Sequence, residues 1–185
     1  MDSGKSTDRE KKAGLQPMEG ISEIEAEVVS FVKDTVSNIL RATGSTANES
    51  VNVTKDIVKE AMLSTREAGI SAILNTKYIA KGIVLGVNEV GGDVIAAAGQ
   101  TVKSIVHGAA EVGADVAFIS KRATEGAIEA VRDLGGNINE AEKSIYNGAI
   151  EALNKIGNTT VRAATDVIKE VISGIKEVID AALSK

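Results

Sequence analysis

Cysteine is absent from this chain of 185 residues, and it contains a single histidine, His107. Without cysteine there is no disulfide framework and no thiolate nucleophile or ligand. His107 has no second histidine or cysteine with which to complete a transition-metal site, so we expect it to be a surface residue. No set of nucleophile, base and orienting group is apparent. The sequence therefore predicts a protein that is not an enzyme and needs no cofactor.

Aromatic residues make up only 2% of the chain, and its one proline is Pro17. Compact cores usually draw much of their buried area from aromatic side chains, so the apolar residues here are of another kind: Val, Ile, Ala and Gly. The region after Pro17 is free of the strongest helix breaker. These features favour a helical protein built from small and β-branched residues.

Long apolar runs are also missing. No stretch approaches the 18 or more residues that a transmembrane helix requires, and residues 1–20 are too polar for a signal peptide. We expect an intracellular protein, cytoplasmic or peripheral on a membrane or lipid body. The net charge of −5, with both signs interleaved, argues against nucleic acid as a partner.

The composition divides the chain into a polar tail, residues 1–20, predicted to be disordered, and a repeat region, residues 21–185. The tail contains Gly4-Lys5-Ser6-Thr7, which matches the end of a phosphate-binding loop. The upstream glycine and the preceding strand of that motif are missing, so no nucleotide site is expected.

Glycines recur every 22 residues in the repeat region. The clearest column is formed by Gly69, Gly91, Gly113, Gly135 and Gly157. A fixed period of this kind indicates a repeat architecture. Six helical turns in each repeat correspond to about 3.67 residues per turn. At this period the apolar residues of successive repeats fall on the same side of the helix, and the helix favours a right-handed supercoil.

The apolar residues follow an 11-residue period and share one face of the predicted helix. We expect this face to be the interaction surface of the protein. Its members are Val28, Ile39, Ile57, Ile79, Ile83, Val90, Val94, Ile105, Val112, Val116, Leu134, Ile138, Ile145, Ile156, Val167, Val171 and Val178.

Four glycine sites combine a helix-ending residue with a helix N-cap candidate just after it. They are Gly44, Gly91-Gly92, Gly135-Gly136 and Gly157. Two all-α architectures remain open: one long amphipathic helix, or a few long helices hinged at these sites, most clearly at Gly91, Gly92, Gly135 and Gly136. After the last of these pairs, Asn137 and Glu140 resemble a capping box.

Charged residues border the apolar face asymmetrically, with a basic flank on one edge and acidic residues such as Asp93 and Asp115 on the other. Two parallel helices would bring unlike flanks together, and two antiparallel helices would bring like flanks together. We therefore expect parallel association of separate chains and not an up-down hairpin bundle. The basic flank comprises Lys33, Lys55, Arg66, Lys77, Lys121, Arg132, Lys143 and Lys176.

In periodicity and local residue composition the repeat region resembles synucleins, exchangeable apolipoproteins and perilipins. The composition is most similar to that of synucleins around residues 104–112, which read Ser-Ile-Val-His-Gly-Ala-Ala-Glu-Val. The synuclein Lys-Thr-Lys-Glu-Gly signature is absent. Only a partial match to it occurs, at Lys121-Arg122-Ala123-Thr124-Glu125-Gly126. The resemblance implies reversible binding of a helix to a lipid surface.

Three functions follow as expectations, of which the third is a water-soluble helical bundle that binds another protein. In the first, the repeat helix binds a lipid or membrane interface as a coat or scaffold and self-associates through parallel helices. In the second, the chain assembles into a helical bundle or filament with no role in lipid binding. An amphipathic helix with basic residues at the edge of its apolar face suits the first, whereas the scarcity of aromatic anchors suits the second.

Overall fold

The computed structural model describes residues 6–44, residue 56, residues 72–156 and residues 158–183. These residues are almost entirely α-helical and contain no strand, which confirms the all-α class. Six helices lie in this part of the chain: α1 (Ser6–Thr43), α2 (Ala72–Glu89), α3 (Val94–Glu111), α4 (Val116–Asp133), α5 (Ile138–Leu153) and α6 (Asn158–Leu183).

Helix α1 begins at Ser6 and so includes most of the segment that the composition assigns to a disordered tail. Residues 8–12 of this segment are Asp-Arg-Glu-Lys-Lys. Long charged side chains of this type are compatible with a helix because they lose little rotamer freedom in it. The boundary at residue 20 therefore does not coincide with a helix boundary.

Three glycines of the 22-residue column, those that the structure describes, end helices. Gly91, Gly113 and Gly135 have φ angles of 75°, 69° and 69°, a left-handed conformation that glycine adopts without steric cost. After α2, the Gly92 amide donates to the Val87 carbonyl at 3.0 Å and the Gly91 amide to the Asn88 carbonyl at 2.9 Å. This bonding pattern is a Schellman motif, and it recurs after α3 and α4.

Each of these turns leads directly into the N-cap of the next helix. The Asp93 carboxylate accepts hydrogen bonds from the Ile95 and Ala96 amides at 2.9 and 3.0 Å. Asp115 and Asn137 cap α4 and α5 in the same way. The predicted helix boundaries at Gly91-Gly92 and Gly135-Gly136 are confirmed, whereas the turn at Gly113 was not predicted. Gly44 follows α1 with a φ of 60°, and Gly157 lies outside the described residues.

The helices form two layers. The first layer contains α1, α2, α4 and α6 side by side, and the second layer contains α3 and α5. In the first layer α1, α2 and α4 are parallel to one another, and in the second layer α3 is parallel to α5. For example, Gly82 of α2 meets Val29 of α1, and Gly86 meets Lys33 one turn further along both helices. Among the described residues α1 and α6 do not contact each other, so the stack has two separate ends.

This arrangement differs from two expectations. The described residues do not form one continuous helix, because the chain reverses direction at each glycine turn. Consecutive helices such as α3 and α4 are therefore hairpins, which the charge pattern disfavoured. The reason is one of magnitude: an exposed ion pair contributes about 0–1 kcal/mol, whereas burial of one large apolar side chain contributes about 1.5–3 kcal/mol.

Glycine also allows the parallel helices to approach closely. The backbone of Gly126 on α4 lies against the Lys77 carbonyl on α2, and Gly148 on α5 lies against the Gly99 carbonyl on α3. Alanine and valine fill much of the remaining core, together with fully buried Ile83, Ile105 and Ile145. Because the residues at these contacts are small, the backbones of neighbouring helices lie within van der Waals distance of each other.

Candidate interaction surfaces

The predicted apolar interface is largely the core of the protein itself. Ile83, Ile105, Val116 and Ile145 are buried, and Leu134, 36% exposed, is the single exposed member among those described. Ile57 and the side chain of Val178 lie outside the described part. The remaining members are half-buried, most of them packed against the core: Val28, Ile39, Ile79, Val90, Val94, Val112, Ile138, Ile156, Val167 and Val171.

The basic flank is divided between ion pairs and free surface. Lys33 pairs with Glu89 at 2.6 Å and Lys77 with Glu129 at 2.6 Å. Arg132 approaches its neighbour Asp133 at 3.9 Å. Lys121 and Lys143 are exposed. Lys55, Arg66 and the side chain of Lys176 lie outside the described residues.

On the opposite edge, Asp93 and Asp115 act as N-caps. For Asp93 this is the N-cap role predicted after Gly91-Gly92. For Asp115 the sequence predicted only a place in the acidic edge, and the N-cap role is additional.

Two further lysines complete the pairing between parallel helices. Lys81 contacts Glu129 at 2.8 Å and Asp133 at 2.6 Å, and Lys103 pairs with Glu151. Sequence reasoning missed both because they fall outside the 11-residue basic column. The signal was present, since Lys81 and Lys103 are 22 residues apart, as are Glu129 and Glu151.

The ion pairs shift the pKa values of their members. Burial alone would raise the pKa of Glu129, but hydrogen bonds from Lys77 and Lys81 outweigh it and hold that pKa below its usual value. Hydrogen bonding from Lys33 lowers the pKa of Glu89, and bonding from Lys103 lowers that of Glu151. All three carboxylates therefore favour the ionised form in the folded protein.

We expect this arrangement to make the fold sensitive to acid. A carboxyl whose folded pKa is lowered adds stability above its unfolded pKa of about 4.3, and this stability is lost as the pH falls through the folded pKa. Urea unfolding from pH 7 to pH 3 measures the effect. Glu129→Gln should flatten the pH dependence, and Glu170→Gln, on the exposed surface of α6, is the matched control. Equal slopes for both variants would contradict a role for Glu129.

Two surface grooves accompany the ion pairs. One, of about 450 Å³, lies between α1, α2 and α4 and is lined by Val29, Tyr78 and Leu85 with the paired Lys33 and Lys81. Burial and a hydrogen bond with Glu25 raise the pKa of Tyr78 in this groove. Because carboxylates already neutralise both lysines, this groove offers no free cation to a ligand.

The second groove, of about 380 Å³, lies between α5 and α6 at one end of the stack. Tyr146 and Ile172 form its apolar part, and Lys143 and Lys169 border it. Neither lysine takes part in an ion pair in the described part of the chain. We call this site the α5–α6 groove.

No group of three or more His, Asp or Glu side chains is placed to hold a metal ion among the residues that the structure describes. His107 lies on the partly exposed side of α3, with Nδ1 3.4 Å from a Glu111 carboxylate oxygen. Within the same described residues, no helix is long and apolar enough to cross a membrane.

No protein-family model and no curated protein matches this chain.

Proposed function

We propose that this chain is a non-enzymatic structural protein, a two-layer helical scaffold that associates with further copies of itself. The observation that carries the proposal is the open stack. Parallel neighbours in it are joined by ion pairs between α1 and α2, α2 and α4, and α3 and α5, and among the described residues α1 and α6 each have one neighbour in the first layer. Addition of another copy at an end would repeat contacts of the type already made within the chain.

The 22-residue unit supports this proposal. Helices α2 to α5 begin at residues 72, 94, 116 and 138, and a pair of units makes one helical hairpin. We infer that the chain is a solenoid-type repeat protein, in which each unit contacts only its near neighbours. The right-handed supercoil, the intracellular location and the parallel homo-oligomer remain predictions.

Binding to a lipid interface is the second candidate. Half-buried apolar residues on α6, including Val167, Val171 and Ile172, favour it, since they are incompletely covered at the end of the stack. The resemblance to lipid-binding repeat helices supports it too. However, most of the apolar face is core, so binding through the whole face would require the two layers to separate.

Sedimentation velocity over a wide concentration range, combined with vesicle flotation, tests the two candidates. We expect species larger than the 19.1 kDa monomer at high concentration without lipid. A monomer at every concentration that floats with anionic or neutral vesicles would contradict self-association and favour the lipid interface. Circular dichroism with vesicles would then show whether helicity changes on binding.

A further inference from the structure

The ion pairs between helices have a constant direction along the chain. In each of them among the described residues, the basic side chain is on the earlier helix and the carboxylate is on the later one. Lys33 of α1 reaches Glu89 of α2, Lys81 of α2 reaches Asp133 of α4, and Lys103 of α3 reaches Glu151 of α5. At each of these three contacts between parallel helices, the earlier helix therefore has a basic leading edge and the later helix an acidic trailing edge.

At the far end of the stack this pattern leaves lysines without acidic partners. The α5–α6 groove is bordered by Lys143 and Lys169, and Lys169 belongs to the same 22-residue column as Lys81 and Lys103. Glu142 also lines the groove and has an interaction of its own. The leading edge is thus basic, with Tyr146 and Ile172 as its apolar part.

The near end of the stack carries the complementary features. Val29, Val32 and Val36 of α1 face α2, and by helical spacing Phe31 lies on the opposite face. Its side chain is 72% exposed, more than any other large hydrophobic side chain that the structure describes. Exposed carboxylates surround it on this outer face of α1, at positions Glu23, Glu27 and Asp34.

We propose that a second copy of this chain docks head to tail, with the outer face of α1 seated on the α5–α6 groove of the next copy. Phe31 packs on Tyr146 and Ile172, and the carboxylates of α1 approach Lys143 and Lys169. The proposal rests on the proposed self-association and specifies its contact. Since the two surfaces differ, the contact is heterologous and builds a ring or an open filament.

Charge reversal at each end tests the contact. We expect Lys143→Glu with Lys169→Glu, or Glu27→Lys with Asp34→Lys, to weaken association in sedimentation by about tenfold or more, because like charges then meet. Combining all four substitutions should restore it. Lys121→Glu with Arg132→Glu, on the internal helix α4, reverses two charges away from both ends and should assemble as the unmodified protein does.

Cysteine crosslinking tests the pairing of surfaces, since any cysteine introduced is unique. A Phe31→Cys protein mixed with a Ser173→Cys protein should give crosslinked heterodimers. Each variant alone should give few crosslinks. Efficient crosslinking of Phe31→Cys with itself would overturn the head-to-tail contact in favour of a symmetric one.

The outcomes distinguish this contact from self-association in general. Assembly that survives both end reversals overturns the contact and leaves self-association standing. An unmodified protein that stays monomeric overturns both. If Lys143→Glu with Lys169→Glu abolishes flotation with anionic vesicles and leaves assembly unchanged, the groove binds lipid and the head-to-tail contact is wrong.

Discussion

Replacement of Gly126 by alanine is expected to lower the free energy of unfolding by about 2 kcal/mol. A Cβ at this position would fall on the Lys77 carbonyl oxygen, 2.8 Å from the Lys77 carbonyl carbon and 3.1 Å from the Ala80 Cβ. The obstructing atoms belong to the backbone of α2, so the helices themselves must move apart. Overpacking of this kind costs about 1–3 kcal/mol or more, of which the better helix propensity of alanine offsets about 1 kcal/mol.

Gly174 supplies the matched control for this variant. It also lies inside a helix, but a Cβ there would meet nothing within 4 Å. Gly174→Ala should therefore gain about 0.5–1 kcal/mol from helix propensity alone. Urea midpoints of the two variants should move in opposite directions. A gain of stability in both would contradict the close approach of α2 and α4.

Replacement of Ile105 by alanine is expected to cost about 3 kcal/mol of unfolding free energy. Its side chain is 1% exposed and belongs to the hydrophobic core. Truncation of a buried isoleucine removes transfer free energy and leaves a cavity, with a total cost of about 2–5 kcal/mol. Ile105→Val should cost about 1 kcal/mol. Chemical denaturation of dilute protein, below the concentration at which it associates, measures these losses.

The Ile105 variants distinguish an apolar face that forms the core from one that contacts lipid or another chain. If Ile105 contacted lipid or another chain, its truncation would cost little in dilute protein without lipid. Phe118→Ala is the control, since Phe118 is 42% exposed on α4 and its loss should cost less than about 1 kcal/mol. Equal, small losses for both residues would show that Ile105 is not in the core.

Much of the local structure could be predicted from sequence because it depends on neighbouring residues. Gly91-Gly92 followed by Asp93 specifies a helix end and a helix start within four residues, and the structure has both. The turn at Gly113 was missed because Ala114 separates this single glycine from the N-cap residue, Asp115. Its place in the same 22-residue column as Gly91 would have identified it.

The stacking of the helices could not be predicted in the same way. Amphipathic periodicity shows that an apolar face must be covered, but the identity of the covering surface depends on distant segments. The flanking charges favoured parallel helices of separate chains. They could not show that α2 has a parallel neighbour, α4, within the same chain, joined to it by the Lys77–Glu129 ion pair and reached after an antiparallel helix.

The pairing of α2 with α4 and of α3 with α5 has a consequence for synthesis on the ribosome. Lys81 and Glu129, like Lys103 and Glu151, are 48 residues apart. At about 5–20 residues per second, a newly emerged helix waits roughly 2–10 s for its parallel neighbour. During that interval its apolar face is covered mainly by the helix that precedes it in the hairpin. The nascent chain would then fold as successive hairpins. Each helix would gain its parallel neighbour only after the intervening antiparallel helix has emerged.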